Sequence, residues 1–277
     1  MFELPEMVIM AKQMNHTLKG RVIKKGMLGN SPHKFVWYNR KHAEFERLTK
    51  GKKIGKAQAK GRWLFVPLEP GYVLVFGECG GKILFHQPDS DVPKKYHLYI
   101  TFMDDSFLTA TTQMWGAYEL YKKGDEKKRK YIKGMKPTPI DGAFTFDYFN
   151  RLIDGLTEKK SVKGLLTQDQ LIPGLGNAIA QDIMFKANLN PRHPVDALTK
   201  PERRKLYNAI VKTVNEVIKK GGRNDEYDLH GDAGKYVRLM DKNTAGKPCP
   251  VCRTKIKKIQ YLGGACYFCP GCQKLEK

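Results

Sequence analysis

Two Cys-x-x-Cys turns near the end of the chain, Cys249-Pro-Val-Cys252 and Cys269-Pro-Gly-Cys272, stand sixteen residues apart and constrain the fold more than any other feature. Each turn offers two thiolates, and two such turns close a tetrahedron around one Zn2+. A segment this short has too few apolar residues for its own core, so a bound ion would supply its folding free energy. The spacing predicts a structural zinc finger over 248–277 with Cys249, Cys252, Cys269 and Cys272 as ligands. Cys266 competes as a ligand because it continues the three-residue spacing of Cys269 and Cys272, but the repeated Cys-Pro-x-Cys form favours the latter two. Cys79 stands apart and is expected to be a small buried residue. In a cytosolic chain this clustering points to metal rather than disulfides.

Charge narrows the partner. Lys and Arg number 50 against 28 acids, a formal excess of +22. An excess this large repels itself unless a polyanion is the partner, and phosphate backbones are the commonest one. Lys255, Lys257 and Lys258 lie between the cysteine pairs, so the finger itself is basic. No apolar run of about 18 residues exists, which excludes a spanning helix. The opening MFELPEMVIMAKQ lacks the basic start, apolar middle and cleavage site of a signal peptide. A cytoplasmic, nucleoid-associated monomer with no membrane partner is expected.

Periodicity changes along the chain. Pro5 to Leu18 has helical spacing, with Pro5 in the first turn, Glu6 at the positive end of the dipole and Gly20 at the exit. Residues 21 to about 117 read as short strands, at Arg21–Lys25, Trp63–Leu68, Tyr72–Phe76, Lys82–His86, His97–Phe102 and Phe107–Thr111. Hairpins are expected at Glu69-Pro70-Gly71 and Asp104-Asp105, and the spacing suggests a sandwich or barrel. The basic stretch 122–136, running into Lys-Pro-Thr-Pro, reads as a connector and fits equally a helix end with a solvated face. From 141 to 222 the period becomes helical. Thr145 and Asn177 are candidate caps, and Thr199 with Glu202 has capping-box spacing. The expected division is 1–122 as an N-terminal domain, 123–140 as linker, 141–222 as a helical domain, 223–247 as loop and 248–277 as finger.

Two further motifs bear on chemistry. Pro173-Gly174-Leu175-Gly176-Asn177 precedes a helix, where glycines let backbone N–H groups approach a phosphate. Taken alone, the same residues also fit an ordinary connection between helices. Glu3 and Glu6 flank the chain start, where a neighbouring α-amino group with a pKa near ~7.7–8.0 is partly neutral and nucleophilic. On sequence physics alone, both glutamates also read as first-turn residues that favour the helix dipole.

In this order, Glu3-Leu-Pro-Glu6, Gly174-Leu-Gly-Asn177 and the CPVC…CPGC-Gln273 finger resemble the formamidopyrimidine-DNA glycosylase and endonuclease VIII family over essentially the whole chain. Gly61-Arg-Trp-Leu64, Gly77–Gly81 and Gly221-Gly222 fit as well. The resemblance implies an α+β multidomain fold, with an N-terminal β-sandwich and leading helix, a helix–two-turns–helix domain and a C-terminal zinc finger. It implies excision of a damaged base by attack of the N-terminal amine, usually proline, on the sugar C1′, with Glu3 handling protons and Asn177 on a phosphate. Phe2 stands where proline is expected, and a bulky second residue hinders removal of Met1. Arg62 replaces a lysine, keeping the cation but losing a ready proton donor. Glu78 replaces a gap-filling methionine, Gln113 a probing arginine, and Gly264 an arginine of the finger. Trp115 keeps an aromatic wedge.

The candidate catalytic set is therefore Glu3, Met1, Phe2 and Arg62. The DNA-binding set is Asn177, Gly176, Gly174, Lys60, Lys95, Gln113, Trp115 and Lys257, and Glu78 and Glu6 line the lesion pocket. Two functions compete. One is a glycosylase that hydrolyses the N-glycosidic bond of an extruded base in double-stranded, damaged or abasic DNA, with weak or absent lyase activity. The other is a non-catalytic lesion or abasic-site binder. An RNA-binding ribbon is disfavoured because the sequence reveals no aromatic stacking platform.

Overall fold

The computed structural model describes residues 1–275; residues 276 and 277, the end of the expected finger segment, lie outside the described residues. The chain forms two compact units, Met1–Met135 with Lys220–Lys235, and Lys136–Lys219 with Tyr236–Lys277. The stretch read as a connector, 123–140, thus divides at Met135, and the stretch read as a loop, 223–247, divides at Lys235.

In the first unit, helix α1 (Leu4–Thr17) precedes strand β1 (Ile23–Leu28), β2 (Val36–Tyr38), helix α2 (His42–Thr49), β3 (Lys53–Ile54) and β4 (Gln58–Lys60). Then follow β5 (Trp63–Glu69), β6 (Tyr72–Gly77), β7 (Gly81–His86), β8 (Leu98–Phe102), β9 (Phe107–Thr112) and β10 (Gly116–Lys122). One sheet has the order β1-β8-β9-β7; the other has β2-β10-β6-β5-β3, with β4 also on β5. Both expected hairpins form, since β5–β6 and β8–β9 pair antiparallel across their turns. Ile100, Phe102 and Leu108 from one sheet and Leu64, Leu74 and Phe76 from the other enclose a common core. Phe2, Met7, Met10 and Met14 of the leading segment enter the same core.

The larger sheet is also covered on its other face. Trp63, Val73, Val75 and Ala117 pack under Ile132 and Met135, and the Arg129 guanidinium lies 4.6 Å over the Trp63 ring. The basic stretch after β10 is therefore the second cover of the sheet. This explains why β6 is apolar almost throughout instead of alternating. Gly77 faces Trp63 in register, and a Cβ there would fall 2.0 Å from the indole. The reading of 21–117 as strands alone misses α2, because only Phe45 and Thr49 of its eight residues are buried and the apolar period is too sparse to see.

In the second unit, α3 (Phe146–Asp154), α4 (Val162–Thr167), α5 (Asn177–Lys186) and α6 (Lys200–Lys219) precede the hairpin β11 (Lys257–Tyr261) and β12 (Gly264–Phe268). Thr145 caps α3 by accepting from the Tyr148 N–H at 3.1 Å. Thr199 and Glu202 form the expected reciprocal pair, at 2.8 and 3.4 Å. Asn177 does not cap α5: Gly176 occupies the N-cap in extended conformation, and Asn177 is the first helical residue. Asp182 of α5 is fully buried and accepts from the Tyr236 hydroxyl at 2.8 Å and the Met240 N–H at 2.9 Å. Burial pushes its carboxyl up, and these donors oppose the shift. Among the described residues no helix is long and apolar enough to cross a membrane.

Candidate active site and nucleic-acid interface

The start of the chain is held in the first unit by a buried charge network. Phe2 is completely buried, and its peptide N–H donates to the Cys79 carbonyl at 2.8 Å. Glu3 and Glu6 are buried at the beginning of α1, where the Glu6 carboxylate accepts the Glu3 N–H at 3.0 Å. The partner of Glu6 is Arg223, whose Nε donates to Glu6 Oε1 at 2.9 Å and whose Nη2 donates to Oε2 at 3.1 Å. Such two-pronged pairing is the strong form of a carboxylate–guanidinium contact. Nη2 also donates to the Met1 carbonyl at 2.8 Å. The Met1 ammonium donates to Glu226 Oε1 at 2.7 Å. Burial alone would lower the Arg223 pKa, but Glu6, Glu3 and Glu226 outweigh it and hold the guanidinium charged. Burial pushes Glu226 up, against Arg223 and the Met1 ammonium.

Gln13 of α1 fixes the same returning segment, donating to Asp228 at 2.6 Å and accepting from the Leu229 N–H at 3.0 Å. Arg223 and Glu226 carry no sequence motif, so reading the chain alone missed them. The only local hint is Gly221-Gly222, both at positive φ, which turns the chain sharply after α6.

Arg62 and Glu78 meet beside Met1. Arg62 Nη1 donates to Glu78 Oε2 at 2.9 Å and lies 3.8 Å from Met1 Sδ. Glu78 sits at φ 49°, a left-handed conformation that strains a side-chain-bearing residue. The cation and the carboxylate that the sequence assigned to different tasks thus largely cancel each other's charge.

The turn between β9 and β10 brings Gln113 and Trp115 to the same region of the first unit. Gln113 N–H donates to the Gly80 carbonyl at 2.5 Å, and Gly80 N–H donates to the Trp115 carbonyl at 3.0 Å. Trp115 stacks on Trp37 of β2, with ring centroids 5.2 Å apart and planes within 11°, and Phe35 lies 4.5 Å from Trp115. An exposed aromatic surface therefore exists, where the sequence showed none, because its rings come from distant segments. Lys60 and Lys95 of this unit are exposed.

In the second unit the glycine-rich turn and the finger come together. Gly174 adopts φ 92°, which only glycine takes freely, and its N–H donates to Gln170 at 2.9 Å. The Asn177 side chain donates to the Ala265 carbonyl of β12 at 3.0 Å. The buried Lys163 ammonium donates to the carbonyls of Tyr261 and Gly264, tying α4 to the tip of the hairpin. Lys257 is exposed on β11.

The sulfurs of Cys249, Cys252, Cys269 and Cys272 lie within 4.8 Å of one another, so these four cysteines form a group able to hold a metal ion. Cys249 and Cys272 sulfurs stand 3.8 Å apart, and Cys252 and Cys269 sulfurs 3.3 Å. Four sulfurs about 2.3 Å from a central ion would stand roughly 3.75 Å apart, so the arrangement fits a tetrahedral thiolate site. Hydrogen bonding from Thr254 brings the Cys252 thiol down to about 6. Cys266 is buried on β12 and stands outside the group.

Comparison with known proteins places this arrangement. A model of the formamidopyrimidine-DNA glycosylase N-terminal domain matches residues 1–116, and a model of the H2TH domain of the same enzymes matches residues 135–227. The formamidopyrimidine-DNA glycosylase of Bacillus cereus is 26% identical over 275 residues, covering 98% of both chains. That of Enterococcus faecalis is 28% identical over 284 residues, covering 99% of this chain and 98% of its own. The fold is similar to that of Lactococcus lactis Fpg in complex with DNA containing an abasic site, with a TM-score of 0.86 at 23% identity over 99% of this chain and all of that one. It is also similar to MutM (Fpg) from Thermus thermophilus, with a TM-score of 0.83 at 23% identity over the same shares. Two domain models of one family, in the expected order and spanning about three quarters of the residues, establish that the chain belongs to the formamidopyrimidine-DNA glycosylase family.

Proposed function

We propose that this protein is a DNA glycosylase of base excision repair that acts on duplex DNA carrying a damaged base, and that base release is hydrolytic with little strand cleavage. The observation that carries the second part is the state of Phe2. Its nitrogen is a peptide amide bonded to Cys79, and its side chain is locked in the sandwich core. With Met1 in place, that nitrogen's lone pair is delocalised into the Met1 carbonyl and does not attack a sugar carbon, and Phe2 in any case lacks the secondary amine of the family's proline. Glu3 takes the remaining task. As the C1′–N bond breaks and positive charge develops on the sugar, its carboxylate accepts a proton from water, whose oxygen adds to C1′ while the base departs. Because the bond is hidden in the stacked duplex, the nucleotide must first be extruded.

DNA binding uses Lys60, Lys95, Gln113, Trp115, Gly174, Gly176, Asn177 and Lys257, with phosphates meeting the N-terminus of α5 and the basic finger. Glu6 shapes the lesion pocket through Arg223, and Arg62 with Glu78 forms a neutral pair beside it. The four-cysteine group would hold Zn2+ through Cys249, Cys252, Cys269 and Cys272. When bound, the ion would supply folding energy to the finger around the β11–β12 hairpin.

A second reading, binding to lesions without excision, gains from the Arg62–Glu78 and Met1–Glu226 pairs, which occupy the terminal ammonium and the guanidinium beside Met1. The deciding experiment compares wild type with Glu3→Gln on duplexes carrying a panel of damaged bases, alongside borohydride trapping on an abasic duplex. Loss of base release by about 100-fold or more in Glu3→Gln, with negligible trapping by wild type, is the expected result. Excision unaffected by the substitution would exclude the Glu3 mechanism. Efficient trapping would exclude the hydrolytic route, and tight binding without any excision would leave the lesion binder.

A further inference from the structure

Two of the three tryptophans of this chain stand on the surface instead of in the core. Trp37 is 43% exposed and Trp115 39%, while Phe35 is 37% and Met114 59% exposed. The two indoles stack nearly parallel, and Phe35 packs on Trp115 at a tilt of 37°. The backbone holds them firmly: β2 pairs in parallel with β10, setting Trp37 opposite Ala117, and the Gly116 N–H donates to the Phe35 carbonyl at 3.0 Å. Lys34 places its ammonium 5.6 Å from the Phe35 ring, which puts a cation at the edge of the aromatic surface. Through Gly80 the surface adjoins the chain start, since a Cβ on Gly80 would lie 3.6 Å from the Trp115 carbonyl and 3.8 Å from Met1 Cα.

Rings stacked on one another in the open have shed water from their inner faces only; their outer faces stay wet and apolar. Patches of this kind mark binding surfaces. In a chain with an excess of +22, an aromatic face edged by a cation suits a nucleobase, which stacks by its π-face whatever its identity. A paired base inside a duplex offers no such face, but an unpaired one does.

We propose that Phe35, Trp37 and Trp115 form a stacking platform for unpaired DNA bases, so that the protein holds strands opened around a lesion more tightly than fully paired ones. The inference rests on the DNA-repair reading above but concerns the state of the strands, and it gives Phe35 and Trp37 a part beside Trp115. A three-ring surface is broad enough for bases next to the lesion as well as the one facing it.

The test measures affinity for an abasic duplex that is fully paired and for the same duplex with three mismatched pairs around the site, using 2-aminopurine in the mismatched segment as a stacking probe. Wild type should favour the opened duplex and quench 2-aminopurine. Trp37→Ala and Phe35→Ala should lower the ratio of the two affinities by about tenfold and relieve the quenching. Trp37→Phe, which keeps an aromatic face, should restore most of the ratio. Tight DNA binding with an unchanged ratio and unchanged quenching in both alanine variants would overturn the platform while leaving the repair reading intact. Equal affinity for single-stranded RNA and DNA of the same sequence would overturn its assignment to DNA. Failure to bind any of these DNAs would remove both readings together.

Discussion

Arg223 and Glu6 are separated by 217 positions, yet the guanidinium and the carboxylate are both almost wholly removed from water. Removing one partner of such a pair leaves the other charge buried and unmatched. Arg223→Ala is expected to cost about 3–5 kcal/mol of stability, measured by urea unfolding. Arg223→Lys should recover only part of it, because an ammonium cannot make the two-pronged contact. This network also marks where sequence reasoning stops at the residue scale. Glu3 and Glu6 are visible because they lie within a turn of each other and in a recognisable motif. Arg223, Glu226 and the Trp37–Trp115 stack are invisible, because only the folded chain brings together residues from unrelated segments and neither charge nor aromaticity at one site implies its partner.

At the scale of elements, local chemistry was readable and sparse periodicity was not. Thr145, the Thr199–Glu202 pair and both hairpin turns could be read because each signal spans only a few residues. Helix α2 buries too little to show a period, and α4 is only six residues long with its cap at Ser161. Asn177 misled for a simple reason: a good capping residue stands one place after the glycine that occupies the N-cap position, and its amide is instead drawn to β12. The finger around the β11–β12 hairpin has a thin core, with Cys249, Ile256, Tyr267 and Cys269 among its few buried side chains. Chelation of the metal should therefore raise hydrogen exchange across residues 248–272 while protection in the β-sandwich stays unchanged. Equal loss of protection in both units would show that the ion does more than fold the finger.

For the whole molecule, an excess of +22 sets the salt dependence. If roughly six to ten phosphates are neutralised, log affinity for duplex DNA should fall with log salt at a slope of about −5 to −9, and affinity should drop about 10³- to 10⁵-fold between 50 and 200 mM. Titration by fluorescence anisotropy gives the slope directly. A slope near −2 would mean that most of the lysines and arginines face away from the nucleic acid.

The returning segment Lys220–Lys235 has a consequence for how this protein comes into being. Chains leave the ribosome N-terminal end first, and domains generally fold as units in that order. Here the β-sandwich cannot finish when its last strand emerges, because Arg223, Glu226 and Leu229 have still to be translated after helices α3 to α6. Until then Glu6 waits at the base of α1 without its counter-charge, so that nascent chains halted before residue 223 should be softer to protease than the released protein.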